Sequence, residues 1–191
     1  MDGVTLADRI AYGAGQAARK AGVICDAYRP RNGGSPITDA NRMLRMPVAF
    51  LPVSGSARGP APFGVPYRQA VLDQVYVRPG DYLAGPAGTY LVAANEPPQP
   101  VLAVLCNEVV SVWRAASPRV PGVNSYGAVL AATAVALLAG FPAALLPSGM
   151  GDRTRQGLPD DTKVPGFIAM LAAVDGAEPN VADILRDARG R

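Results

Sequence analysis

Short runs of β-forming residues, each closed by a Gly- or Pro-containing turn, recur between Ala70 and Ala115 and constrain this chain more than any other feature. Gln74-Val75-Tyr76-Val77 leads into Pro79-Gly80-Asp81, and Tyr82-Leu83-Ala84 leads into Gly85-Pro86-Ala87-Gly88. Thr89 to Ala93, Val101 to Leu105 and Val109 to Arg114 continue the series. Strands at this spacing describe a meander in a small barrel or sandwich. The same punctuation runs through the whole chain: 21 Gly and 19 Pro make up about a fifth of its 191 residues, against a usual share of roughly 12%. With 49% hydrophobic residues there is enough apolar material for a core. The expected class is mainly β, a small β-barrel or sandwich with an N-terminal helix and long Gly/Pro-rich loops.

The helix is expected at the start. Thr5-Leu6-Ala7-Asp8 has the form of a capping box. Leu6, Ile10, Ala14, Ala17 and Ala18 then make a narrow apolar stripe, Arg19 and Lys20 suit the last turn, and Gly22 suits the stop. From Asp26 to about Pro66 turn chemistry prevails, with one apolar run at Met46 to Val53. Such a segment makes no core alone and is expected as an extended arm on a neighbour or a long loop. The division expected is therefore 1–66, helix with arm or loops, and 67–191, a β-rich domain.

Residues 120–151 carry no charge, and 127–147 reach the roughly 20-residue length that spans a bilayer. Their Ala, Gly and Pro content and the Gly140-Phe141-Pro142 break weigh against a span. A polar loop, Gly151 to Lys163, precedes the apolar run Phe167 to Val174, and Val181 to Arg191 reads as a last short strand entering a Gly turn. That ending echoes 77–93, where the turn delivers a second strand. A last barrel strand is thus expected to be missing, or supplied by a neighbour through strand addition.

Catalytic chemistry is sparse. The chain has no histidine, which removes Ser-His-Asp and Cys-His arrangements and the neutral-pH imidazole base. Cys25 and Cys106 lie in apolar surroundings and are expected to be buried free thiols; two thiols without histidine are too few for structural zinc. The N-terminus, with two acids and no apolar run, lacks a signal-peptide pattern, so cytoplasmic synthesis is expected. Gly13-Ala14-Gly15-Gln16-Ala17-Ala18 matches a dinucleotide fingerprint in letters, but no strand precedes it. Asp160 and Asp161, with Asp152 nearby, form the one acidic group able to suggest a metal-dependent acid–base site, and a salt-bridged surface loop is the simpler reading beside Arg153, Arg155 and Lys163. Sixteen of the 18 basic residues are arginine, whose planar forks suit carboxylate or phosphate. Arg29, Arg31, Arg42 and Arg45 gather in the first third, and a net charge of +3 is too weak to imply nucleic-acid binding by itself.

Several segments together resemble the small neck proteins of tailed bacteriophages, the head-to-tail connector, head-closure and tail-joining subunits. They are LADRIAYGAGQAARKAG with its CDAYRP exit, RPGDYL followed by GTYLVA, Asn124-Ser125-Tyr126-Gly127 ahead of LLAGFPAALL, and the closing VPGFIAMLAAVDG and VADIL. The resemblance covers most of the chain. It implies a small β-barrel with appended helix and loops, repeated around a ring between portal and tail, with strands of 120–151 buried between subunits. It further implies a virion protein assembled in the host cytoplasm, with no catalytic residue, cofactor or metal. Expected partners are copies of the chain, portal or adaptor and tail proteins, and DNA passing through the channel by non-specific contact. Expected interface residues are Arg29, Arg31, Arg42, Arg45, Arg153, Arg155, Asp160 and Asp161. The alternatives are a small membrane-associated protein anchored by 127–147 and a metal-dependent enzyme using the 151–163 loop.

Overall fold

The computed structural model of the chain describes residues 3–53, 66–115, 134–147 and 167–190. These form a mainly β protein with one N-terminal helix, a closed six-stranded barrel and a second, four-stranded sheet. Helix α1 (Gly3–Ala21) ends where the Gly22 N–H donates to the Ala18 carbonyl. It lies against the barrel through buried Ala11 and Ala18, while Leu6, expected in the buried stripe, is exposed. Small side chains let the helix backbone sit close to the strands beneath, and a leucine at that contact would hold it away.

The barrel is built from β1 (Val23–Tyr28), β2 (Arg42–Pro52), β3 (Tyr67–Val71), β4 (Tyr82–Gly85), β5 (Gly88–Ala94) and β6 (Val101–Leu105). Its order is β1-β2-β3-β6-β5-β4, closed by antiparallel pairing of β4 with β1. Two of these strands come from the stretch expected as an arm or long loop, and the boundary drawn at 66 falls between β2 and β3 of one barrel. The reason lies in the interior of a narrow barrel, which accepts small side chains on alternate positions. Cys25 and Ala27 of β1 point inward with Met46 and Val48 of β2, and Ala70 and Ala103 complete the fully buried set beside Leu83, Val92 and Val101. Gln74 to Val77, expected as a strand, instead enters a one-turn 3-10 helix (Gln74–Tyr76), because the Asp73 carboxylate accepts from the Val75 N–H and bends the chain locally.

Cys106 and Asn107 alone separate β6 from β7 (Glu108–Ala115), which leaves the barrel and enters the second sheet. With β8 (Ala134–Pro147), β9 (Phe167–Met170) and β10 (Ile184–Asp187) it gives the antiparallel order β10-β7-β8-β9. Asn107 fixes the departure, its amide donating to the Leu145 carbonyl at 3.0 Å and its Oδ1 accepting from the Leu145 N–H at 2.8 Å. The Gly140 break does not end β8. Gly140 takes φ +69° at a bulge, and its N–H donates to Ser111 Oγ at 3.1 Å. The described part of the uncharged segment, 134–147, is therefore strand, with Leu138, Phe141, Ala143 and Ala144 buried. No helix among the described residues is long and apolar enough to cross a membrane.

Barrel and second sheet share a core of Tyr82, Leu91, Val112, Leu138, Phe141, Ala172 and Val174. Tyr82 is its centre: fully buried, its hydroxyl donates to the Pro142 carbonyl at 2.8 Å and accepts from the Ala172 N–H at 3.1 Å. The Gly-rich loop after β1 adds a second tie, since the Ala139 N–H donates to the Gly33 carbonyl at 2.7 Å. A side chain at Gly33 would collide with the Leu137 carbonyl, so the loop docks on the β8 bulge only as glycine. Tyr82→Phe leaves a buried carbonyl and a buried N–H without partners and is expected to cost about 2–3 kcal/mol in denaturant unfolding. Tyr67→Phe, whose hydroxyl reaches only Met170 Sδ at 3.5 Å among the described residues, is expected to cost under ~1 kcal/mol in the same assay.

Candidate interaction surfaces

The four clustered arginines separate into different roles once folded. Arg29 follows β1 and makes a two-pronged pair with Asp81, Nε to Oδ1 at 2.8 Å and Nη2 to Oδ2 at 2.7 Å. Asp81 is only 1% exposed, and its Oδ2 also accepts from the Arg78 N–H. The carboxylate therefore locks the 78–81 turn and the start of the 29–41 loop together, and hydrogen bonding to it raises the Arg29 pKa further. Arg42 and Arg45 project from β2 and both reach Asp26 on β1, at 2.8 Å and 3.0 Å. The cross-strand register that sets Asp26 opposite Arg45 produces this triad. The Arg45 guanidinium is the main cause holding the Asp26 carboxyl below its usual range, with Arg42 adding to it. A carboxyl lowered in the folded state stabilises the fold above its unfolded pKa, and this is lost as pH falls through the folded value. Arg31 is exposed, with no ion-pair partner among the described residues.

The expected basic interface is thus partly neutralised from within: Arg29, Arg42 and Arg45 are engaged by Asp81 and Asp26, and Arg31 stays outward. Arg153, Arg155, Asp160 and Asp161 lie outside the described residues, as do Asp152 and Lys163. Among the described residues no group of three or more metal-ligating side chains occurs. The 13–18 glycine pattern falls inside α1, where a Cβ at Gly15 would press on the Asp73 side chain at 3.3 Å. Both cysteines are free, Cys25 inside the barrel and Cys106 half-buried, and burial raises their thiols to about 11 and about 12. Such thiols are poor nucleophiles near neutrality.

Features without a sequence expectation stand at the second sheet. Arg114 of β7 pairs with Asp183 just before β10, Nε to Oδ1 at 2.9 Å and Nη2 to Oδ2 at 2.8 Å, and Nη2 also donates to the Glu178 carbonyl at 2.9 Å. Hydrogen bonds from Arg114 first, then from the Asn180 N–H, hold the Asp183 carboxyl low. The clip fastens the last segment onto β7, and the Arg186 guanidinium lies 5.5 Å over the Trp113 ring to hold the adjacent stretch. Both edges expose apolar residues: Phe167 and Ile168 of β9 are 70% and 51% exposed, Ile184 of β10 is 48% exposed, and Leu185 and Val181 are exposed too, while β10 ends on the charged Arg186 and Asp187. The signal for these lay in the FIAM and ILRD runs, and their edge position depends on a strand order the sequence does not state.

The geometry thus defines a small antiparallel protein whose described polar side chains mostly serve structure and whose open sheet presents apolar edges. In comparisons with known proteins, no family model, no curated protein and no solved structure matches the chain.

Arg29→Ala leaves Asp81 buried without its guanidinium and is expected to destabilise by about 2–3 kcal/mol, at the lower end for a broken buried pair because Arg29 itself is 31% exposed. Arg45→Ala, removing a 63% exposed partner of Asp26, is expected to shift the denaturant midpoint far less. Equal losses at the two sites would contradict the division of roles.

Proposed function

We propose that the chain is a structural subunit that assembles with copies of itself into a ring at the head-to-tail junction or proximal tail of a tailed bacteriophage. The observation that carries the assembly part is that both edge strands of the second sheet expose large apolar residues, Phe167 and Ile168 on β9 and Ile184 and Leu185 on β10, where soluble proteins usually blunt an edge. The phage setting rests on the sequence resemblance across the helix, the RPGDYL and GTYLVA segments and the LLAGFPAALL strand. Portal or adaptor and tail proteins would then be the axial partners, and exposed Arg31 is a candidate for non-specific contact with DNA in the channel. In this reading the protein works by burying apolar surface in a lattice of copies, while its internal ion pairs keep each copy rigid.

Sedimentation of a lysate of the cells that make this protein, with the chain followed by mass spectrometry, tests the proposal. The expected outcome is co-migration with large DNA-containing particles. A slow, small species or flotation with lipid would contradict it.

A further inference from the structure

Strand order and direction carry the assembly reading one step further. We infer that the second sheet is completed head to tail, with β10 of one copy pairing along β9 of the next. This rests on the self-assembly proposed above and specifies which surfaces meet. β10 runs antiparallel to β7, β7 to β8 and β8 to β9, so the two edge strands of one copy run in opposite directions. β10 pairs at 110–113 of β7, opposite 136–141 of β8, while β9 pairs at 144–147 of β8. Copies placed side by side in the same orientation and staggered by several residues along the strand axis therefore set β10 antiparallel to the neighbour's β9, which continues the alternation of the whole sheet. Neither edge has a further strand partner among the described residues, and both strands are four residues long.

The side chains favour this pairing over two-fold alternatives. Natural edge strands are usually blunted by charge, proline or a bulge. β9 reads Phe-Ile-Ala-Met with none of these, and β10 opens on Ile184 and Leu185 before the charged Arg186 and Asp187, so β9 is the unblunted edge and β10 carries charge only at its end. Pairing β10 with itself about Leu185 sets Ile184 opposite Arg186, whose guanidinium is already over Trp113. Pairing β9 with itself covers Phe167 and Ile168 but leaves β10 open. The head-to-tail contact covers both edges with one interface, and a contact of that type closes as a ring or continues as a filament. A four-residue ladder contributes few hydrogen bonds, each of small net worth in water. A single joint is then weak, and closure with burial of Phe167, Ile168, Ile184 and Leu185 is what holds it.

Mixing two single variants, Ala169→Cys and Leu185→Cys, carrying tags of different mass and treated with a short bismaleimide, tests the joint. A covalent product of unlike chains can form only between copies. The native chain, whose Cys25 and Cys106 are sheltered, sets the background. The expected result is that the unlike-chain dimer exceeds either like-chain dimer by tenfold or more in the assembled fraction from a sizing column. Assembled material giving only like-chain products, or none, would overturn the edge pairing while leaving ring assembly standing. A chain that stays monomeric at every concentration would overturn both.

Discussion

The phenol of Tyr82 sits at the centre of the seam between barrel and second sheet, and most of the structure depends on their agreement there. Its ring separates the barrel interior, closed by Leu83 on the other face of β4, from the second core around Phe141 and Leu138. Its hydroxyl satisfies a carbonyl of β8 and an N–H just beyond β9. A buried hydroxyl with both functions matched is directional, so it fixes orientation as well as distance. Asn107 and the Gly33 contact add to the same seam from either side. The second sheet is consequently held to the barrel through β8 and through the residues at and just beyond the end of β9, and β9 and β10 form its margins.

The later barrel strands and β7 beyond them were legible because β4 to β7 carry β-branched and aromatic runs between Gly/Pro turns. β1 was not, because its inward residues are Cys25 and Ala27, which give almost no hydrophobic alternation. Their smallness suits the closure of six strands, and that is a property of the barrel rather than of the segment. The run at Gln74 failed for a local reason, the Asp73 turn, and the α1 stripe was misjudged because the contact with the barrel is made by alanine rather than leucine. The uncharged 134–147 segment was ambiguous between lipid and protein burial by composition, and its strand pairing with β7 and β9 is a long-range fact.

Site legibility followed the same division. Arginines were easy to see, and their partners were not. Asp81 sits in a turn motif that gives no hint of burial, and Asp26 meets Arg42 and Arg45 only through the β1–β2 register. Much of the basic character of the first third is therefore structural, which lowers the weight of phosphate contact and raises that of shape and apolar surface in any assembly. Arg114 and Asp183, 69 positions apart, show the same economy: a charge pair fastens the last strand, whose Ile184 and Leu185 are exposed.

Amide hydrogen exchange as a function of protein concentration tests the central claim, that this is an assembling subunit whose open sheet is its joint. Protection at 167–170 and 184–187 is expected to rise with concentration, while β1, β2 and β6 keep the same protection throughout. Edge-strand protection that is already complete at high dilution and does not change on concentrating would contradict the account.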